Sequence, residues 1–355
     1  MASVRVALVG CGSVARRYAR RIGETDGLEL VGVTDVAPDR AAAVAGEFGI
    51  RRYDDLGAVL ADDAVDAVVN LTVPQAHAAV TATALGAGKH VHTEKPVALT
   101  YEEASELARL AERRGVRLSC APTTWLGAAQ QTAWKVIRDG GIGTVRVAYA
   151  EANWGRIERW HGDPETLYAV GPVVDVGIYP LTILTMIFGP ARRVTAYGTV
   201  LERDRVTLAG APFALATDDF VVALLELAGG VVVRLTASFY VEHYGKQRGI
   251  EFHGDRGSLF LATWADSDSR LELASYEREY TAVPLVREPY TGIDWGSGLR
   301  ELAEAVAERR PHRTSADHAA HVVEILGAIS EASRGGATIE LASTFEPRPP
   351  MEWAR

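Results

Sequence analysis

The amino-acid sequence predicts a doubly wound, parallel α/β sheet over residues 1–121. An α+β domain with a large, open, mostly antiparallel sheet should follow over 122–355. Three observations carry this reading. Short apolar runs alternate with helix-like stretches through the first 120 residues, the pattern of parallel strands joined by helical crossovers. A glycine-rich turn, Gly10-Cys11-Gly12-Ser13-Val14-Ala15, links the first apolar run to the first helix. Beyond Pro122 the pattern shifts to longer β-rich segments with turns such as Ala228-Gly229-Gly230 and Asp255-Arg256-Gly257 between them.

Val4 to Val9 is apolar throughout and ends at Gly10, as a buried parallel strand does. Val14 to Ile22 is helix-like, with arginines on one side. Glu29 to Thr34 is a second strand closed by Asp35, and Arg40 to Phe48 is an alanine-rich helix. Ala67 to Leu71, Lys89 to Thr93 and Arg117 to Cys120 are further strands. Helices from Gln75 to Leu85 and from Tyr101 to Arg114 separate them. Thr100 suits the N-cap of the latter, Glu102 and Glu103 its first turn, and Gly115 its end. In the second half a helix from about Gln130 to Asp139 stops at Gly140-Gly141. Strands are expected at Val145–Ala152, Arg192–Val200, Phe220–Leu227, Val231–Phe239, Gly249–Gly254, Ser258–Ala262 and Arg270–Ala274. Helices are expected at Pro172–Ile187, Gly298–Arg309 and Ser315–Ser333.

With 48% hydrophobic and 23% charged residues, the 355-residue chain has ordinary globular composition and is not a disordered one. A net charge of −9 argues against a nucleic-acid partner or an anionic membrane. Cys11 and Cys120 are the two cysteines, too few for a disulfide framework. No N-terminal secretion signal is visible, and apolar runs such as Val221 to Leu225 are too short to span a bilayer. A cytoplasmic location is therefore expected.

Gly10-x-Gly12-x-x-Ala15 follows a strand and opens a helix, which is the setting of a dinucleotide-binding turn. Gly10 permits the tight turn, Gly12 lets the backbone approach a pyrophosphate, and Ala15 allows close helix–strand packing. The free N–H groups of the helix start, from Cys11 through Ser13 and Val14, suit phosphate oxygens. Asp35, twenty residues beyond Ala15, is placed to accept from the adenosine ribose hydroxyls and to repel a 2′-phosphate. NAD is thus favoured over NADP, with Arg40 the nearest residue that argues the other way. The loops Thr72-Val73-Pro74 and Glu94-Lys95-Pro96 leave the carboxyl ends of the third and fourth strands, where a ligand of such a sheet lies.

Lys95 beside a cofactor and out of water can handle protons; alternatively it forms a surface ion pair with Glu94. The stretch Gly171-Pro172-Val173-Val174-Asp175-Val176-Gly177-Ile178-Tyr179 begins an apolar helix on which Asp175 and Tyr179 share a face. A buried aspartate needs a partner, and Lys95 is a candidate. In the alternative, Asp175 satisfies a backbone amide and Tyr179 is core.

These pieces, with the later Gly254-Asp255-Arg256-Gly257-Ser258-Leu259 turn, resemble the glucose–fructose oxidoreductase / inositol dehydrogenase / rhizopine catabolism (Gfo/Idh/MocA) family over nearly the whole chain. The resemblance implies a Rossmann domain, a C-terminal sheet domain that forms subunit contacts, and a homodimer or homotetramer. It implies NAD(P)-dependent oxidation or reduction of a sugar, glycoside or cyclitol. Lys95 would assist proton movement and Asp175 would orient the substrate hydroxyl. Many family members carry histidine at the position of Tyr179, so the acid/base role moves to this tyrosine with Lys95 supporting. Pro172 replaces the second glycine of a usual pair.

Aromatic residues Trp125, Trp154, Trp160 and Tyr168, with His161, gather where the substrate is expected. Trp125, Trp160 and His161 are the candidates to line a sugar site, while Trp154 suits core packing better. The Tyr290–Ser297 loop, with Asp294 and Trp295, is a weaker candidate. No His/Cys cluster has metal-ligand spacing. Two other functions remain open: an enzyme that retains its NAD and oxidises a sugar transiently to epimerise or cleave it, and a non-catalytic dinucleotide sensor.

Overall fold

The computed structural model describes residues 3–355, which form two compact units. The first unit runs to Thr123 and takes in Asp294–Val323. The second comprises Thr124–Ile293 and Glu324–Arg355.

In the first unit, β1 (Val4–Val9), α1 (Ala15–Gly23), β2 (Leu28–Thr34), α2 (Pro38–Phe48), β3 (Arg51–Arg52), α3 (Leu56–Leu60), β4 (Ala67–Asn70), α4 (Pro74–Gly86), β5 (His90–Thr93), α5 (Tyr101–Arg114) and β6 (Leu118–Cys120) follow in order. The strands pair in parallel in the order β3-β2-β1-β4-β5-β6. This is the doubly wound order in which ligands bind at the carboxyl edge. Helix α1 turns a regularly spaced apolar stripe, Ala15, Tyr18, Ala19 and Ile22, to the sheet. The Thr100 hydroxyl caps α5 by accepting from Glu103 N–H, and Gly115 closes it in a left-handed conformation.

The second unit holds α6 (Ala128–Arg138), β7 (Val145–Asn153), α7 (Pro164–Pro172), α8 (Ile178–Phe188), β8 (Ala191–Thr199), β9 (Asp204–Val206), β10 (Pro212–Ala214), β11 (Phe220–Leu227), β12 (Val232–Ser238), β13 (Gly249–Gly254), β14 (Gly257–Leu261), β15 (Leu271–Ser275) and β16 (Thr281–Ala282). The chain then forms α9 (Ser297–Ala307), α10 (Ala316–Gly335) and β17 (Ile339–Glu340). Nine strands pair in the order β16-β15-β14-β13-β7-β12-β11-β8-β17. Every pair is antiparallel except β7 with β12. Ala148, Ala150 and Ala152 of β7 face inward, and their small size lets α8 pack close above the sheet. The opposite face carries Tyr149, Tyr197, Leu224 and Val232 exposed among charged neighbours.

Three departures from the sequence reading have physical causes. Residues 294–323 join the first unit rather than the second, because Leu299 and Ala303 of α9 enter the core that contains Val6 and Leu8. A helix precedes Pro172: α7 starts at Pro164, and Gly171, at φ 78° and ψ 165°, breaks it before Pro172 begins the next segment. Residues 173–177 then form a π-helical turn that leads into α8. Pro164–Phe188 is 25 residues long and apolar enough to cross a membrane, contrary to the expectation that no such run exists. Its most apolar stretch is 72% buried inside the protein, as in a core helix.

Candidate active site

The glycine turn of the first unit is built for close approach. Gly10 adopts φ 103°, and a Cβ there would lie 2.6 Å from the Leu71 carbonyl oxygen, so only glycine fits. A Cβ on Gly12 would meet nothing within 4 Å, which leaves an open cradle above the turn. Among the described residues the N–H groups of Gly12, Ser13 and Val14 have no hydrogen-bond acceptor, as expected where a helix starts. Asp35 accepts from Cys11 N–H at 2.6 Å and from Ala37 N–H at 2.7 Å, one bond to each carboxylate oxygen. The carboxylate is thus held at the rim of the turn with lone pairs to spare for ribose hydroxyls. The Cys11 thiol is pushed up to about 11 by burial and by Asp35, so it stays protonated and packs. This donor set fits a dinucleotide: amides for the pyrophosphate, a fixed carboxylate for the ribose.

His77 joins the two loops at the carboxyl edge of the sheet, a link that sequence reasoning missed. Its Nδ1 lies 2.7 Å from the Pro96 carbonyl oxygen and its Nε2 3.0 Å from that of Thr72. Both partners accept only, so a neutral ring donates to one and an imidazolium to both. Thr72 is fixed further by its hydroxyl donating to Asn70 Oδ1 at 2.7 Å, and Val73 is exposed ahead of Pro74 at the start of α4.

Lys95 is half-buried just past β5, and its N–H donates to Glu94 Oε2 at 3.2 Å. Glu94 Oε1 accepts from the Tyr18 hydroxyl at 2.7 Å. Behind it, Tyr18 OH lies 3.3 Å from His92 Nε2, His92 Nδ1 2.8 Å from Ser119 Oγ, and Ser119 Oγ 2.7 Å from Thr314 Oγ1. Burial, with His312 nearby, pushes His92 down to about 3, so its ring is neutral. Because Tyr18 donates to Glu94, His92 Nε2 must donate to Tyr18. Nδ1 then accepts from Ser119, which in turn accepts from Thr314. The chain therefore runs one way, from Thr314 to the Glu94 carboxylate.

In the second unit Asp175 lies in the π turn and Tyr179 in the first turn of α8, both half-buried. Extra backbone turns of this kind are frequent at functional sites. The Tyr179 ring sits 4.8 Å from Trp264, Trp264 5.7 Å from Trp154, and Trp154 6.4 Å from Trp160. His161 stands edge-on to Trp160 at 5.6 Å and folds back on Asp163, with Nδ1 2.7 Å from its carbonyl oxygen. Trp154, read from sequence as core, is a half-buried central member of this wall. Trp264 and His243, 5.6 Å from Trp154, had no sequence motif to mark them.

Other expectations are corrected. Trp125 is 3% exposed and packs on Trp134 at 6.2 Å, so it offers no open face to a sugar. Tyr168 is buried, and its hydroxyl donates to Glu158 at 2.5 Å. Asp294 accepts from Arg21 and Arg300, while Trp295 packs on Tyr18 at 5.6 Å, which makes that loop a structural part of the first unit. Glu158 belongs to a buried triad in which Arg205 bonds Glu158 at 2.9 Å and Asp219 at 2.5 Å. The triad fixes the turn that presents Trp160 and His161. Among the described residues no group of His, Cys, Asp and Glu could hold a metal ion.

A doubly wound sheet with an open glycine turn and an anchored Asp35 defines a dinucleotide-binding protein. Residues 4–121 match the oxidoreductase family with NAD-binding Rossmann fold, and residues 130–260 match the GFO/IDH/MocA C-terminal domain. The chain belongs to the Gfo/Idh/MocA oxidoreductase family. It is 30% identical to D-apiose dehydrogenase of Paraburkholderia graminis, over 78% of this chain and 72% of the relative. It is 27% identical to 1,5-anhydro-D-fructose reductase of Ensifer adhaerens, over 72% and 74%. A levoglucosan dehydrogenase solved with NADH and L-sorbose has the same fold, with TM-score 0.84 and 21% identity over 97% of this chain and all of that one.

Proposed function

We propose that this protein is an NAD-dependent dehydrogenase that oxidises a secondary alcohol of a sugar, glycoside or cyclitol. The observation that carries the reading is Tyr179, a hydroxyl-bearing ring set against Trp264 one turn beyond Asp175. A polar tip at the end of an aromatic surface suits a carbohydrate hydroxyl above a stacked ring. The names of the relatives, which are dehydrogenases and reductases of sugars, support the substrate class.

Gly10 through Val14, Asp35 and the Thr72-Val73-Pro74 and Glu94-Lys95 loops would hold the dinucleotide, whose nicotinamide ring supplies the hydride acceptor. Asp35 favours NAD over NADP, since its anchored negative charge faces the place of a 2′-phosphate. Tyr179 takes the hydroxyl proton, Lys95 supports it by favouring the phenolate, and Asp175 orients the hydroxyl. Subunit contacts through the exposed apolar residues Tyr149, Tyr197 and Leu224 would make the protein a homodimer or homotetramer. Light scattering of the eluted protein tests that part.

The test of the activity is reduced-nicotinamide absorbance with NAD or NADP and a panel of sugars, glycosides and inositols. Turnover with NAD that Lys95→Ala and Tyr179→Phe abolish, with NAD binding kept, is the expected result. Undiminished turnover in both variants overturns the assignment. Nicotinamide found in the denatured protein, with no net reduction across the panel, points instead to an enzyme that retains its cofactor.

A further inference from the structure

We propose that the aromatic wall of the second unit binds a substrate of two rings, a glycoside whose aglycone is a second sugar or an aryl group. This deepens the proposed function and rests on its reading of Tyr179 as the chemical end of the wall. Three features carry it.

The wall is longer than one sugar ring needs. From Tyr179 it runs through Trp264 and Trp154 to Trp160, with ring centres 4.8, 5.7 and 6.4 Å apart. Trp264 is buried and backs the wall, so a pyranose seated at Tyr179 leaves the more open rings of Trp154 and Trp160 uncovered. Isolated exposed aromatic residues are common on folded proteins, but contiguous ones mark a binding surface.

From Trp264 outward the wall opens step by step. Trp264 is 5% exposed, Trp154 is half-buried, and Trp160 is 50% exposed. A substrate would thus place its reacting ring in the sheltered part and its second ring at the open part. The backbone and rings behind the wall are also held in place. The Trp264 indole N–H donates to the Glu151 carbonyl at 3.1 Å, and Trp154 N–H donates to that of Ser238 at 2.9 Å. The turn before Trp160 is held by the buried pair of Glu158 and Arg205. A surface already ordered loses little entropy when it binds.

Two of the arginines near the open end are already paired, while Arg159, next to Trp160, is exposed. Arg156 is paired with Glu202 at 2.5 Å and lies over Tyr240, and Arg205 is spent on Glu158 and Asp219. The Glu242 carboxylate adds negative charge beside Gly155, where a Cβ would come within 2.9 Å of it.

The experiment is titration calorimetry on the full chain with matched pairs: glucose, galactose and xylose against their phenyl β-glycosides, with cellobiose and UDP-glucose alongside. At least one glycoside should bind about tenfold tighter than its parent sugar, the factor that roughly one added stacking contact brings. Trp160→Ala should shrink that ratio to about twofold or less, and its melting temperature reports whether the fold is kept. Equal binding of every pair, no binding of any, or tighter binding of UDP-glucose overturns the proposal. So does an unchanged ratio in a folded Trp160→Ala protein. Binding does not depend on turnover. A glycoside preference without hydride transfer leaves the two-ring wall standing and removes the dehydrogenase reading.

Discussion

The Tyr18 hydroxyl donates to Glu94 Oε1 at 2.7 Å, which ties α1 to the loop that carries Lys95. The helix that opens at the phosphate cradle and the loop assigned to proton handling are therefore one mechanical piece. His92, Ser119 and Thr314 back the contact with hydrogen bonds that all point toward Glu94.

Tyr18→Phe leaves that carboxylate oxygen without its donor in a buried place, a loss of about 1–3 kcal/mol. The melting temperature should fall. If the contact positions Lys95, kcat should fall more than the KM for NAD rises. Steady-state kinetics in both substrates reads this split. Equal small changes in both constants would reduce Tyr18 to packing.

Gly12 and Gly10 should respond oppositely to alanine. Gly12→Ala meets open space, so its melting temperature should stay near that of the parent while NAD affinity drops about tenfold or more as the methyl enters the cradle. Gly10→Ala collides with the Leu71 carbonyl and should destabilise the fold itself. Thermal melts with and without NAD separate the two. Unaltered NAD affinity in Gly12→Ala would move the pyrophosphate elsewhere.

Acid should weaken the first unit through buried histidines. Burial holds His92 and His318 down to about 3, against an ordinary value of 6.5. The unfolded chain therefore binds protons that the folded one refuses. This stability is fully present above about pH 6.5 and is lost as pH falls toward about 3. The melting temperature should decline through that window, and His92→Gln should show a shallower decline from a lower starting point. A parallel decline in the variant would assign the effect to other groups.

Arg205→Met strands Glu158 and Asp219 as buried charges without their counter-ion. Breaking such a group by removing one partner costs about 3–5 kcal/mol. Denaturant unfolding should show that loss. Tryptophan fluorescence, summed over the seven tryptophans of the chain, follows the transition. A loss below about 1 kcal/mol would mean that the carboxylates find water or protons instead.

Much of the first unit was legible because its cues are local. The apolar run before Gly10, the Thr100 cap and the Gly115 stop each act within a few residues, and the structure has α5 at Tyr101–Arg114 as its pattern requires. Motifs marked Gly10, Asp35 and Lys95 in the sequence, and the roles given to them are those proposed above. The site was not legible where side chains meet across long sequence distances. Trp264 reaches Trp154 only through the register of the nine-stranded sheet, and His77 reaches Pro96 only because β4 and β5 are neighbours. Trp125 misled because composition cannot tell a ring buried against Trp134 from one open to a ligand.

The return of α9 to the first unit has a consequence for anyone who would cut this protein apart. The chain passes between its units after Thr123, after Ile293 and after Val323. A fragment that stops at residue 121 lacks Leu299 and Ala303, and so bares the apolar surface around Val6 and Leu8. The nucleotide half is thus a discontinuous module. A working recombinant version would need Asp294–Val323 grafted back by a linker, and simple truncation should yield aggregates.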